Sequence, residues 1–419
     1  MNYNQALSYL FGLQIFGIKL GLTNITSFLN YLGNPHFKFQ SLHVAGTNGK
    51  GSVCAMLESV LCQSGYKTGL FTSPHLVDFT ERVRICGRPI EKQFIVDFVQ
   101  EFKDRIDRYQ YTFFEVNTAL AFLYFAERKV DLAVVETGLG GRLDATNALI
   151  PLVSVITNID LEHTDILGKK LNQIAIEKAG IIKENVPVVT GIEQSQALKV
   201  IQSICGGKNS PLIAVNRDSS GKIRKLSLEK SIFDLRIGKA GFENLELNLA
   251  GAHQVKNAAI GLLTIRELQR KGYKISPKSI ANGLKKVNWL CRFQIHRKKP
   301  LVILDAAHNP AAAKVLKQTF SDLLPGKNVI FIFGVMQDKD YPQILKELSS
   351  IAKKIILTQP KTKRSALTSD LENLVKSLKI PCQIIKPVKK AYSQTLKNSS
   401  PNEIICVTGS HYTLGELLA

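Results

Sequence analysis

Nowhere does the sequence hold the ~18–20 consecutive apolar residues that a bilayer-spanning helix needs, so no such helix and no membrane partner are expected. The opening residues, MNYNQALSYLFGLQIFGIKLG, lack the basic n-region and small-residue cleavage site of a signal peptide. They read as a packed helix, and the location as cytoplasmic. The seven cysteines (Cys54, Cys62, Cys86, Cys205, Cys291, Cys382 and Cys406) include no Cys-x-x-Cys pair, and several sit in apolar runs. Neither a disulfide framework nor a zinc site is expected; buried free thiols in a reducing compartment are. Acidic residues are scarce, 34 against 55 Lys and Arg, for a formal net charge of +21. Yet the basic residues are scattered, with no long basic tail and no interleaved aromatics. A solvated basic surface is the plainest reading, attraction of polyanionic small ligands the next, and nucleic acid the last. Internal repeats and low-complexity segments are also missing.

At 419 residues, 45% of them hydrophobic, the chain exceeds one ordinary core and suggests two domains. FKFQSLHV reads as a strand leading into the glycine-rich stretch HVAGTNGKGSV. Val53, Met56, Leu57, Val60 and Leu61 then recur at helical spacing until Gly65, and KTGLFTS returns as a strand. That is a βαβ unit, which implies a parallel sheet with right-handed crossovers. VDLAVVE, LVSVIT and VPVVT continue it, the last after a helix expected over Leu171–Lys183. Between Lys222 and Leu249, FDLRI and LELNL alternate apolar and polar, as in a small antiparallel sheet. HQVKNAAIGLLTIRELQRKG is helical. The pattern pauses at LKKVNWLCRFQIHRKKP, where the boundary is placed, dividing 1–290 from 291–419. LVILDA, NVIFIFG, KIILTQ, CQII and EIICVTG then alternate with helical stretches, a smaller doubly wound Rossmann-like α/β domain.

Chemistry concentrates at strand ends. In GTNGKGS, Gly46, Gly49 and Gly51 free the backbone to curl, so that N–H groups at a helix N-terminus can face an anion. Lys50 can reach outer phosphates and the Ser52 hydroxyl can bind magnesium. The spacing is shorter than the usual P-loop, but strand before and helix after supply its context. Glu136 ends a strand, where a magnesium ligand, a helix cap or an ion pair are all reasonable. The loop after LVSVIT crowds Asp160, Glu162, His163 and Asp165, a density suited to a cation, although a lone His is more often structural. Lys178 falls on an apolar helical face, and either pairs with Glu177 or is chemically altered. In the second domain LDAAHNP offers Asp305, His308 and Asn309, and FGVMQDKDY offers Asp338, Lys339 and Asp340; either could simply cap a helix.

Taken together, HVAGTNGKGSV, TSPHLVDFTERVRICG, TFFEVNTALAF, VETGLGGRLDATN, ITNIDLEHTDILG, EKAGIIK, GAHQVKN, LDAAHNP, FGVMQDKDY and VTGSHYTLGE resemble the folylpolyglutamate synthase/dihydrofolate synthase family of the Mur ligase superfamily. They follow the family's order over nearly the whole chain. The resemblance implies a Mur ligase-like central domain that binds the mononucleotide ATP through Gly46, Thr47, Asn48, Gly49, Lys50, Gly51 and Ser52. Asn257, Arg292, Asp305 and His308 are implied as further nucleotide contacts. Ser52, Glu136 and His163 are implied to hold two Mg2+ ions, and Lys178 to carry a carbamate. Lys50, Lys178 and His308 would serve catalysis. SPHLVDFTERV, with Ser73 and His75, corresponds to a mobile loop near the folate, and Phe113, Phe114 and Asp144 to the pterin pocket. Two departures stand out. The family's Pro-Gly-Arg is here Leu290-Cys291-Arg292, and His411 stands where an apolar residue is usual.

The implied reaction is ATP-dependent amide formation between L-glutamate and dihydropteroate, a reduced folate or both, through an acyl phosphate. A monomer acting on small molecules, without nucleic acid, is expected. A Mur-type ligase of cell-wall precursors, a P-loop ATPase without ligation and a nucleic-acid binder rank below it.

Overall fold

The computed structural model describes residues 1–17 and 19–419, whose strands build three sheets. The largest contains β1 (Gln40–Ala45), β2 (Thr68–Phe71), β3 (Val83–Ile85), β4 (Arg88–Pro89), β5 (Leu132–Glu136), β6 (Val153–Ile156), β7 (Val188–Thr190) and β8 (Leu212–Ala214). Their order is β4-β3-β2-β5-β1-β6-β7-β8. β2, β5, β1, β6, β7 and β8 run parallel, as the βαβ pattern requires. β3 and β4 add an antiparallel edge.

Alternation along the strands feeds two cores. Leu42, Val44, Leu132, Val134, Val153 and Val155 face the helices Lys50–Gln63, Ala252–Arg270 and Pro277–Lys286. Ala133 and Val135 face the other way, toward the helices Tyr3–Gly12, Thr23–Tyr31, Lys92–Tyr109 and Phe113–Glu127. The N-terminal segment is therefore a packed helix, as expected. Fully burying each large apolar side chain contributes roughly 1.5–3 kcal/mol. Gly283 sets the helix spacing on the first face: a Cβ there would lie 2.5 Å from the Val60 Cα.

The expected antiparallel patch is present as β9 (Ser219–Leu226), β10 (Ser231–Ile237) and β11 (Ala240–Leu247), in the order β11-β10-β9. Phe233, Leu235, Ile237, Leu245 and Leu247 turn into the first core. The supposed pause has elements of its own: the helix Pro277–Lys286 covers LKK, and β12 (Gln294–Lys298) covers QIHRK. β12 pairs antiparallel with β13 (Leu301–Leu304). β14 (Val329–Phe333), β15 (Ala352–Leu357), β16 (Cys382–Ile384) and β17 (Ile404–Thr408) complete a second doubly wound sheet, ordered β12-β13-β17-β14-β15-β16. Phe331 and Phe333 pack to one side of it, Ile330 and Ile332 to the other. Among the described residues no helix is long and apolar enough to cross a membrane.

Two expectations need correction. The helix from Leu171 ends at Ala179, not Lys183. Gly180 lies so close to the Arg142 backbone that a Cβ would strike it, and the chain turns away there. The cysteines, moreover, are not all free: Cys62 and Cys86 form a disulfide across 24 residues, with their Cα atoms 5.7 Å apart. Cys62 ends the helix Lys50–Gln63, and Cys86 follows β3. Only the β2–β3 pairing brings them together, so sequence spacing held no trace of it. Cys54, Cys205, Cys291, Cys382 and Cys406 are free.

Closing a loop of this length stabilises a fold by about 3 kcal/mol. Cys86→Ser should lose that amount in denaturant unfolding without reductant and match the wild type when both are reduced. Equal stability without reductant would mean that the two thiols are not bonded.

Candidate active site

Between β1 and the helix Lys50–Gln63, the chain turns through GTNG. Gly46 (φ 153°) packs on Thr157, whose hydroxyl a Cβ would strike, and Gly49 (φ 81°) is left-handed. Hydrogen bonds to residues 157–160 pin the turn. Thr47 N–H donates to the Asn158 carbonyl (3.1 Å), Asn48 N–H to Asn158 Oδ1 (2.8 Å), and Thr157 Oγ1 to the Asn48 carbonyl (2.6 Å). No side chain caps the helix at Lys50. Gly49, Lys50, Gly51 and Ser52 line a cleft of about 390 Å³, which thus receives the positive end of the helix dipole.

Lys50 Nζ folds back onto this turn, donating to the carbonyls of Gly46 (3.1 Å) and Thr47 (3.3 Å), and lies 4.0 Å from Glu136 Oε1. Glu136, at the end of β5, is buried; burial pushes its carboxyl up, and Lys50 opposes that shift. Its Oε2 accepts from Ser73 N–H at 3.3 Å. Ser52 Oγ is buried and has no hydrogen-bond partner among the described residues. An orphaned hydroxyl sharing a cleft with a buried carboxylate fits a hard cation that completes its shell with phosphate and water. Lys178 does not pair with Glu177, which binds Arg142 at 2.9 Å. Its Nζ is buried and donates to the Gly46 carbonyl at 2.8 Å. Burial, then the Lys50 charge, lower its pKa to about 7. The shift is toward the neutral, nucleophilic amine.

The second lobe closes the other side of the cleft. Asn309 Nδ2 donates to Asn48 Oδ1 (2.9 Å), and Asn48 Nδ2 donates back to Asn309 Oδ1 (3.3 Å). Glu162 Oε1 lies 3.2 Å from His308 Nε2 and 3.3 Å from Lys339 Nζ. Burial alone would raise the Glu162 carboxyl, but His308, Lys339 and Lys50 hold it well below the usual range. In this acid-rich loop Glu162 is thus paired with a side-chain ammonium, that of Lys339. His163 takes a left-handed turn (φ 52°), and its Nε2 lies 3.4 Å from Lys339 Nζ. Burial lowers its pKa to about 4, which leaves a neutral imidazole able to ligate a metal. Asp165 is exposed and outside the cleft lining.

Thr47, Asn48, Gly49, Lys50, Gly51, Ser52, Ser73, Glu136, His163, Asn257, Arg292, Asp305 and His308 all meet in this cleft. Asn257 stands over Gly49, and both Asp305 oxygens accept backbone N–H groups, from Ala307 (2.9 Å) and Phe293 (2.8 Å). Cys291 adopts the left-handed backbone (φ 57°) that suits the family's glycine. That conformation costs a non-glycine residue about 1–2 kcal/mol, offset here by full burial of the side chain.

His75, Phe113, Phe114 and Asp144 lie apart from the cleft lining. Phe113 stacks on Phe11 (5.7 Å between centroids), and the Arg82 guanidinium lies 5.2 Å over its ring. Arg82 Nε donates to His75 Nδ1 at 2.8 Å. Phe114 covers Gly138, where a Cβ would strike its ring. Asp144 Oδ1 accepts from Thr146 N–H (3.0 Å) and Oδ2 from Leu139 N–H (2.7 Å), so it shapes the turn after β5. The SPHL loop is docked: Glu81 accepts from the N–H groups of Leu76, Val77 and Asp78, and Leu76 packs into the second lobe's core. Asn158, Arg364 and Tyr412 in the cleft lining, and Arg82 beside Phe113 and His75, were not foreseen. Each is an ordinary polar residue in sequence, and only the fold brings it to the site.

Comparison with known proteins agrees with this geometry. A family model described as "Mur ligase middle domain" matches residues 44–265, and "Mur ligase, glutamate ligase domain" matches 291–411. The chain is 36% identical to the dihydrofolate synthase/folylpolyglutamate synthase of Bacillus subtilis, over 99% of this chain and 98% of that protein. The crystal structure of folylpolyglutamate synthase from Thermotoga maritima superposes with TM-score 0.85 at 36% identity, covering 99% of this chain and 96% of that one. Escherichia coli FolC in complex with DHPP and ADP gives TM-score 0.89 at 30% identity, covering 100% of this chain and 97% of that one.

Breaking a buried charge cluster that spans two lobes is expensive. Glu162→Gln should lower stability by about 3 kcal/mol and enlarge the radius measured by small-angle X-ray scattering. Unchanged stability and radius would show that Glu162 does not hold the lobes together.

Proposed function

We propose that this chain, which belongs to the dihydrofolate synthase/folylpolyglutamate synthase family of ATP-dependent ligases, joins L-glutamate to a pteroate or folate carboxylate. ATP is split to ADP and phosphate. Both dihydropteroate and reduced folate are assigned as acceptors. One observation carries the reading: an uncapped phosphate loop in one lobe faces Arg292, His308 and Lys339 of the other across a single cleft. We divide the chain accordingly into 1–290 and 291–419.

A free carboxylate is a poor electrophile, so the γ-phosphoryl group of ATP first moves to the acceptor's carboxylate oxygen. The bond to ADP breaks and an acyl phosphate forms. Lys50 and the loop N–H groups hold the phosphates as charge develops. The neutral amine of glutamate then attacks the acyl carbon, phosphate leaves, and the nitrogen loses a proton. Magnesium, held by Ser52 and Glu136 with His163 beside a second ion, would neutralise phosphate charge. Lobe closure excludes water, which would otherwise hydrolyse the acyl phosphate. The aromatic group around Phe113, with Phe114, His75 and the Asp144 turn, is assigned to the flat pterin. DHPP and ADP bound to the Escherichia coli relative support these assignments.

Lys178 is assigned as a carbamate. A neutral amine adds CO2 and releases a proton, and the remaining N–H can still donate to the Gly46 carbonyl. The product is an anion beside Lys50, which relieves the burial of two like charges. Both faces of the cleft come from one chain, so we assign a monomer, acting in the cytoplasm where ATP is supplied and where Cys62 and Cys86 would be held as thiols.

ADP release that requires both glutamate and an acceptor tests the reading, run separately with dihydropteroate and tetrahydrofolate. Lys50→Ala should lower kcat/KM by about 10²–10³. Release with tetrahydrofolate alone would reduce the activity to tail extension, and release with neither would overturn it. Carbon-13 bicarbonate should give a carbamate resonance that Lys178→Arg abolishes; a wild-type spectrum without it would overturn the modification.

A further inference from the structure

The structure assigns a role to His411, one of the two departures from the family pattern. β17 ends at Thr408, and the helix His411–Leu418 starts immediately after, capped by Ser410 Oγ, which accepts from Thr413 N–H at 3.0 Å. This places His411 at the first helical position, in the cleft lining beside Arg292 and His308. Its Nε2 lies 3.5 Å from Arg292 Nη2, and its ring centroid 5.2 Å from that of His308. A guanidinium only donates, so Nε2 is the accepting nitrogen and the ring proton sits on Nδ1. Burial, and then the charges of Arg292, Lys339 and Lys50, favour this neutral form.

Arg292 depends on this contact. Its Nη1 donates to the Cys291 carbonyl at 3.0 Å, a tether within its own chain. Among the described residues, the hydrogen bond to His411 is the one its side chain makes to another element. An apolar residue at 411 would leave Nη2 without that acceptor and let the guanidinium rotate about its own tether. We propose that His411 is a positioning residue: it holds the Arg292 guanidinium so that its remaining N–H groups face an anionic group of the nucleotide. This rests on the nucleotide reading given above. A fixed guanidinium binds phosphate without first losing its rotational freedom, so the gain appears as affinity.

The test is ADP binding by calorimetry, with steady-state turnover, for the wild type, His411→Leu, His411→Asn, Arg292→Ala and His411→Leu/Arg292→Ala. His411→Leu should weaken ADP binding and raise KM for ATP about tenfold, with kcat within about twofold. His411→Asn keeps an accepting oxygen and should stay within about threefold of the wild type. The double variant should bind ADP no more weakly than Arg292→Ala alone, because the histidine acts through the arginine. ADP binding by His411→Leu equal to the wild type would overturn the inference. So would losses that add in the double variant, or an Asn variant as impaired as the Leu variant. A wild type that does not bind ADP would remove the nucleotide reading and this inference with it.

Discussion

Charges of both signs crowd into one buried cleft. Lys50, Arg292, Lys339 and Arg364 line it together with Glu136, Asp160, Glu162 and Asp305, and Lys178 is buried against the same glycine-rich turn. In a low-dielectric setting like charges repel strongly, and each must be paired, hydrogen-bonded or neutral. The structure uses all three answers. Lys50 and Lys178 lean on the carbonyls of the phosphate loop, Glu162 draws in His308 and Lys339, and His163 and His411 stay neutral.

The same constraint explains why two lobes are needed. Glu162 belongs to the first lobe, and its two cationic partners to the second, so electrostatics and lobe closure are one event. The Asn48–Asn309 pair adds a neutral contact at the phosphate loop itself. Leu76, carried by the loop held on Glu81, seats against the last helix, where Gly415 leaves room for its carbonyl. The aromatic group around Phe113 lies on the opposite flank of that loop. One segment therefore touches the second lobe and the proposed pterin side together.

Much of this was legible in the chain. The period-two and helical patterns located β1, β2, β5, β6, β7, the antiparallel patch and five strands of the second sheet, because each buries a regular apolar face. Ser52, Glu136 and His308 were legible because polar residues that follow strands of an open parallel sheet point to its ligand crevice, whereas Arg292, which precedes the antiparallel edge strand β12, was reached only through the family resemblance. The helices Lys92–Tyr109 and Phe113–Glu127 went unassigned, the second being apolar all round and so without a helical stripe. β12 was hidden because it is a mostly exposed edge strand of polar residues.

The sequence by itself determined the local chemistry: glycines where the backbone must curl, a lysine and a hydroxyl beside them, and carboxylates and a histidine after strands. These are properties of residues and near neighbours, and they survive without knowledge of the fold. Tertiary structure alone decided what lies far apart along the chain. It joined Cys62 to Cys86, turned Glu177 to Arg142 and Lys178 to Gly46, and gave Glu162 its partners from the second lobe. The physical reason is that pairing energies depend on distance and burial, and strand order sets both.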